Sequence, residues 1–266
     1  MRLKKLSLIN FKNLLQSEIT LSEGINCFVG DNGAGKTNIL DAIYYLSMSK
    51  SAFTMTDGQS IKHGEDFFVL DGIYAADDNR SESVNCSFTR KTGKVLKRNG
   101  KEYERMSDHV GSFPVVIVSP QDTELITDAA EERRRYINAF ISQLDHQYMV
   151  ALMRYNAVLA ERNRFLKSSS DEQMLLIYDM QLSEHGTRVY ERRKEIVERM
   201  QPLVEEYYRL LSDDSERVEI DYRSELMEVS LKDALIRSRE RDIVNQFTTC
   251  GIHRDDIVFR IAGYPL

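Results

Sequence analysis

The sequence predicts an α/β protein in which a strand-rich first third gives way to a long antiparallel helical hairpin before strands return. Three observations predict it. Residues 30–37, Gly-Asp-Asn-Gly-Ala-Gly-Lys-Thr, spell G-x-x-x-x-G-K-T between an apolar run (Ile25 to Val29) and a helical pattern (Ile39, Ile43, Leu46). Short alternating segments fill most of the chain up to Val118. From Glu131 onward, apolar residues recur at spacings of three and four and then of seven.

Taken in order, Leu3 to Ile9 alternates apolar with polar and predicts a strand, as does Ser17 to Leu21. Ile25 to Val29 is wholly apolar at most positions and predicts a buried strand leading into the loop. Phe67 to Ala75, Val84 to Arg90 and Lys94 to Arg98 predict further strands. Asn99-Gly100 predicts a two-residue hairpin turn, because a type I′ turn needs positive φ at both central positions. Val115 to Val118, ended by Ser119-Pro120, predicts a short central strand.

Ile137, Ile141, Leu144, Tyr148, Leu152, Tyr155 and Leu159 mark one face of a long helix. Ser168 to Ser170 interrupts it, and Ser170 with Gln173 forms a capping-box pattern that starts a second. In that second helix Leu175, Leu182, Val189, Ile196, Leu203 and Leu210 fall every seventh residue. Gly186 and Pro202 inside it predict a weak point and a kink or break. The resulting hairpin measures roughly 50 Å at 1.5 Å per residue. Arg217 to Tyr222 and Ile257 to Ile261 predict strands around a helix at Leu231 to Arg241. The domain reading is therefore 1–120, a mainly helical arm at 121–245, and a return at 246–266.

Composition narrows the class. With 266 residues, 42% hydrophobic and 29% charged, the chain has length for a buried core and the balance of a globular protein. No stretch approaches the roughly 18 apolar residues of a membrane span. The first residues alternate like a strand instead of forming the apolar region of a signal peptide. Cys27, Cys86 and Cys250 are scattered without metal-like spacing, which predicts buried free thiols in a reducing cytoplasm. The net charge of −6 argues against a uniformly basic nucleic-acid binder, but residues 201–266 hold most of the acidity, with 9 Lys/Arg against 14 Asp/Glu. Any polyanion surface has to be a local cluster elsewhere.

The glycine-rich loop carries the clearest chemistry. Its glycines let consecutive N–H groups point into one concavity, and the helix N-terminus behind it adds partial positive charge. Gly30, Asp31, Asn32, Gly33, Ala34, Gly35, Lys36 and Thr37 are thus expected to hold the phosphates of a nucleoside triphosphate. Lys36 would reach the β- and γ-phosphates, and the Thr37 hydroxyl would coordinate Mg²⁺. Asn32 is read two ways, as a group that orients the loop or as a residue in a positive-φ turn. Asp41, one turn beyond Thr37, is read as solvated or capping. Phe67-Phe-Val-Leu-Asp71 superficially matches an apolar strand ending in a metal-binding carboxylate, although Gly72 stands where a catalytic Glu would follow.

Together with three local sequences, this organisation resembles the ATPase heads of the SMC and RecF class, and specifically the RecF family of bacterial DNA replication and repair proteins. Leu8-Ile-Asn-Phe-Lys-Asn13 is similar to the family's opening strand and basic turn. Ser119-Pro-Gln-Asp122 and Glu132-Arg-Arg-Arg-Tyr-Ile137 resemble its proline-containing loop and double-arginine helix start. Gly251-Ile-His-Arg-Asp-Asp256 resembles its Gly-Pro-His-Arg-Asp segment, with Ile252 in place of proline. The resemblance implies an α/β P-loop head of the ABC/SMC type, a mixed sheet with an antiparallel strand-rich part, carrying an inserted helical-hairpin arm.

It implies ATP and Mg²⁺ as cofactors and a head that dimerises on ATP when the protein is full length. Its expected partners are gapped or junction DNA, single- and double-stranded, and a RecR-type mediator. In the family a Ser-x-Gly-Gln signature and a Walker B strand follow the last predicted strand. Neither is found before Leu266, so the chain is expected to be an N-terminal portion that does not turn over ATP.

The resemblance also extends the candidate site. Gln121 stands where the class places a glutamine that senses γ-phosphate and Mg²⁺, and Lys12 resembles a basic residue that reaches nucleotide phosphates. Each has an equally open reading, Gln121 as one of several polar neighbours and Lys12 as an exposed turn lysine. Arg90, Lys91, Lys94, Lys97, Arg98 and Lys101 put six cations in twelve residues without an intervening acid, as a DNA-phosphate surface or as edge-strand protection. Arg133, Arg134 and Arg135 oppose the dipole at a helix start, which suggests a contact with DNA or with the rest of the head. His253 is read as facing the nucleotide or a dimer interface, or as a structural hydrogen-bond partner. Two other classes stay open: a self-contained P-loop kinase or small NTPase, and a non-catalytic interaction module.

Overall fold

The computed structural model describes residues 1–76, 80–127, 130–212 and 216–266, apart from the side chains of Gln121 and Pro265. Its contacts divide the chain into two compact units, Met1–Val118 and Ser119–Leu266.

The first unit is built on β1 (Arg2–Phe11), β2 (Leu14–Thr20), α1 (Lys36–Met48), β3 (Phe67–Ala75), β4 (Ser81–Thr89), β5 (Gly93–Arg98) and β6 (Lys101–Glu102). The strands form one antiparallel sheet in the order β2-β1-β3-β4-β5-β6. Period-two alternation gathers Leu6 and Leu8 of β1, Phe68 and Leu70 of β3, Val84 and Cys86 of β4 and Leu96 of β5 into one buried cluster. Helical spacing brings Ala42, Tyr45 and Leu46 of α1 into the same cluster, where Phe11, Tyr45 and Phe68 meet edge to face at 5.3–6.0 Å. The expected Asn99-Gly100 turn forms, with φ of 51° and 78°.

Two expectations fail here. Ile25–Val29 and Val115–Val118 form no strand, and Ile25, Val29, Val116 and Val118 are 72–92% exposed. An apolar β-prone run is buried only if another strand and a packed layer cover it. Among the described residues no strand pairs with either run.

The second unit contains α2 (Glu124–Thr127), α3 (Ala130–Leu144), α4 (His146–Leu166), α5 (Glu172–Leu211), β7 (Val218–Arg223), α6 (Leu231–Asn245), β8 (Asp256–Ile261) and β9 (Tyr264–Pro265). The helix expected from Glu131 is two helices. Asp145 is extended and its carboxylate accepts the Tyr148 N–H at 3.0 Å, so a new helix starts there while the apolar periodicity runs on. The next N-cap is Asp171 in place of Ser170, accepting the Met174 N–H at 2.9 Å.

The expected break does not occur: α5 continues for 40 residues through both Gly186 and Pro202, roughly 60 Å at 1.5 Å per residue. Gly186 is there for close packing: a Cβ would lie 2.3 Å from Leu231 Cδ2 and 2.9 Å from the Tyr155 ring. Pro202 is on the exposed side of the helix, where the carbonyl it orphans is open to solvation. Of the seven-residue stripe, Leu175, Leu182, Val189 and Ile196 are buried, whereas Leu203 and Leu210 leave the core.

Residues 246–266, which the sequence reading joins to the phosphate-loop segment, have their contacts in this second unit. There β8 pairs with β7 in an antiparallel sheet completed by β9. A charged cluster ties α4, α5 and α6 together: fully buried Arg162 bonds Asp179 (2.9 Å), Asp242 (2.8 Å) and Thr248 (2.8 Å).

Candidate phosphate-binding site

The loop at 30–35 leads directly into α1, and its shape follows from its glycines. Gly33 and Gly35 adopt left-handed φ of 82° and 102°. At Gly35 a Cβ would also lie 2.7 Å from Leu14 Cδ2 and 2.9 Å from Asn13 Oδ1, so no larger residue fits. Asn32 does not take the positive φ open to it; Gly33 does.

No side chain caps the α1 N-terminus and no acid occupies its first turn, so its N–H groups remain available to an anion. The Lys36 ammonium donates to the Gly30 and Asp31 carbonyls, both at 2.7 Å, which folds it over the loop mouth. Thr37 is exposed on the first helical turn. Asp31, Asn32, Gly33 and Ala34 are exposed as well.

The turn between β1 and β2 braces this loop. Asn13 Nδ2 donates to the Gly33 carbonyl at 2.6 Å, and Asn13 Oδ1 accepts from Asn38 of α1 at 2.7 Å. The Asn13 carbonyl accepts the Lys62 ammonium at 3.0 Å. Sequence reasoning passed over Asn13 as a site residue; its only local signal was membership of the basic turn.

Next to it the Lys12 ammonium lies 2.6 Å from Asp41 Oδ2 and over the Phe53 ring. Asp41 is not solvated: it is fully buried and also accepts from Ser51 Oγ and the Ala52 N–H, each at 2.7 Å. Lys12 is thus engaged on α1, not pointed free into solvent. A groove of about 660 Å³ opens beside the turn, lined by Lys12, Asn13, Gly58, Gln59, Ile61, Lys62, His63, Gly64 and Arg90. Every ionisable residue in its wall is cationic or histidine.

The family model described as an AAA domain matches residues 5–247. The DNA replication and repair protein RecF of Bacteroides thetaiotaomicron is 43% identical over the whole chain, which spans 73% of that relative. The chain belongs to the RecF family. RecF of Parabacteroides distasonis is 44% identical over 99% of the chain and 72% of its own length. A solved structure described as the recombination mediator protein RecF with ATP, in the RecFOR pathway, superposes with a TM-score of 0.92 at 31% identity. It is covered over 74% of its length by 99% of this chain. An SMC head bound to the C-terminal winged-helix domain of ScpA shares the fold at a TM-score of 0.52 and 16% identity. The expected ABC/SMC-type head is therefore the fold of this RecF-family chain.

Several sequence-predicted residues occupy other environments. The six hairpin cations do not form one surface. Strand alternation turns Lys94 and Arg98 to the side of buried Leu96. There Lys94 bonds Asp57 (2.9 Å) and the Ser49 carbonyl (2.6 Å), and Arg98 pairs with Glu82. Arg90 joins the groove described above; Lys91 is exposed at the turn between β4 and β5, Lys101 is exposed in β6, and Lys97 is on the opposite sheet face.

Of the arginine triplet, Arg133 grips Asp256 through two bonds of 2.7 and 3.0 Å and Arg134 donates to the Asp255 carbonyl at 2.7 Å. Burial, followed by the neighbouring Arg193 charge, pushes the Arg134 pKa down. Only Arg135 is mostly exposed, and it pairs with Glu132. Arg133 and Arg134 are held by acceptors from a segment more than a hundred residues away.

Gln121 lies in the single turn Pro120–Thr123, and its side chain stands outside the described residues. Asp71, in the antiparallel strand β3, accepts from Asn85 at 2.6 Å as a cross-strand surface pair. His253 has the structural reading: Nδ1 accepts from the Tyr155 hydroxyl at 2.8 Å and Nε2 faces the Thr248 carbonyl at 3.1 Å.

Proposed function

We propose that this RecF-family chain is the ATP-binding part of a DNA repair protein whose contacts with DNA are governed by nucleotide. The observation that carries the reading is the braced glycine loop. Its helix N-terminus carries neither cap nor acid, and Lys36 is folded over its mouth. A triphosphate entering the loop replaces the two carbonyl acceptors of Lys36 with phosphate oxygens, which are stronger, charge-assisted partners. The adjoining cationic groove is of a size to take the nucleoside end and the α-phosphate, with Lys62 and Arg90 at its wall.

Among the described residues no group of three or more His, Cys, Asp or Glu side chains could form a metal cage. That fits Mg²⁺, which is held mainly by substrate phosphates and water with one or two protein oxygens, here the Thr37 hydroxyl. The metal would neutralise β- and γ-oxygens and fix their geometry.

Within this reading, ATP promotes pairing of two full-length copies, and the pair engages gapped or junction DNA together with a RecR-type mediator. The site of action is the cytoplasm. Among the described residues no helix is long and apolar enough to cross a membrane. The ligand shifts the equilibrium only through contacts unique to the paired state.

Calorimetric titration with Mg·ATP tests the core of the proposal. Lys36→Ala is expected to weaken binding by about 2–3 kcal/mol, roughly 30- to 150-fold, as for loss of hydrogen bonds to a charged group. Unchanged affinity would overturn it.

A further inference from the structure

The segment Gly251–Asp256 is held by side chains from four other elements, α3, α4, α5 and β7. Gly251 has φ of 112°, and a Cβ there would lie 2.7 Å from the Tyr155 hydroxyl. The Ile252 carbonyl accepts from Arg193 at 2.7 Å, and the Asp255 carboxylate accepts from Arg193 and from Tyr222. The Asp255 carbonyl takes Arg134, the Asp256 carboxylate takes Arg133, and both ring nitrogens of His253 are engaged. Three arginines and two tyrosines thus bond four of the segment's six residues. A buried ionic network of this kind is often no more stable than an apolar replacement, so its retention points to positioning.

What it positions is Arg254. Its N–H closes a turn on the Gly251 carbonyl at 2.8 Å, and its side chain is the one in the segment that is exposed. We propose that Arg254 is a mounted contact for a phosphate group. A guanidinium matches phosphate oxygens bidentately, and one whose backbone is already fixed loses less entropy on binding.

The phosphate has two possible sources, a DNA backbone or the nucleotide held by a second copy. The choice between them rests on the function proposed above; the phosphate chemistry does not.

Arg254→Ala and Arg254→Lys in the full-length protein test this, with a gapped duplex titrated over a salt series and light scattering with Mg·ATP. For a DNA source, the alanine variant is expected to lower the slope of log K against log salt by about 1. For a nucleotide source, it is expected to raise the concentration needed for ATP-dependent pairing at least tenfold, with lysine in between. Tyr222→Phe, which loosens the mount but leaves the guanidinium, should weaken the same arm to a smaller extent. The melting temperature of Arg254→Ala should match that of the parent, because the side chain is exposed and makes no hydrogen bond or ion pair among the described residues. A salt slope equal to the parent's together with a pairing concentration within twofold of it, or a parent that shows neither activity, would overturn the proposal. Failure of the parent to bind ATP while the DNA arm responds removes only the nucleotide reading.

Discussion

Arg162→Ala is the sharpest stability test of the helical unit. The guanidinium is fully buried, and it balances Asp179 and Asp242, themselves buried, with help from Arg239 at 2.7 Å from Asp179. Removing it leaves two buried carboxylates facing one remaining arginine, an uncompensated charge in low dielectric. Breaking a buried pair from one side costs about 3–5 kcal/mol. Asp242 keeps its bonds from Ser238, from the Thr249 N–H and from the Thr249 hydroxyl, so the middle of that range is expected.

For a unit of this size, 1 kcal/mol moves the melting temperature by roughly 2–4 °C, giving a loss of roughly 8–16 °C. Urea titrations followed by far-UV circular dichroism would measure it. Adding Asp242→Asn to Arg162→Ala removes the orphaned charge and should recover about 1–3 kcal/mol, the usual coupling of contacting residues. A single-variant loss below about 1 kcal/mol, or no recovery in the double variant, would refute the assignment of a compensated charge cluster.

Three further outcomes follow from particular contacts. Asn13→Ala should weaken Mg·ATP binding by about 1–2 kcal/mol through the lost brace on Gly33 while barely changing the melting temperature, since the side chain is exposed; equal affinity would refute the brace. Gly186→Ala should destabilise by about 1–3 kcal/mol through overpacking against Leu231 and Tyr155, although alanine is the better helix former; a stabilised variant in urea would contradict the close approach. Burial pushes the His253 pKa down from 6.5 to about 4, so the folded state holds it neutral. The stability it contributes is fully present above pH 6.5 and is lost as pH falls from there toward 4, in all about 3 kcal/mol. An NMR titration of the His253 ring that turns at pH 6 or above would contradict this.

How much of this was legible in the sequence depends on the range of the interaction. The glycine loop and the Asn99-Gly100 turn are local consequences of backbone sterics, and both form as read. Strands and helices with clean periodicity also stand close to their expected places. Asp145 was hidden because apolar spacing continues across it, and only its carboxylate on the Tyr148 N–H ends one helix and begins the next. Ile25–Val29 and Val115–Val118 carry the composition of buried strands, but burial is decided by a partner strand that composition does not specify.

The basic clusters illustrate the same limit in the site. A charge run says nothing of where its counter-charges fold, and Asp256 reaches Arg133 from 123 residues away. One warning was present: Lys94 and Arg98 share period-two parity with Leu96, so a buried leucine forces both cations to the same face. The unit of interpretation for a cation in a strand is therefore its face and its partner, and the local density of positive charge is secondary. By that criterion Lys94, Arg98, Arg133 and Arg134 belong to the scaffold. Lys36, Lys62 and Arg90 remain at the loop and groove, where an anion can displace or join their present contacts. Substituting the scaffold cations should lower stability before it lowers affinity, and substituting the second group should do the reverse.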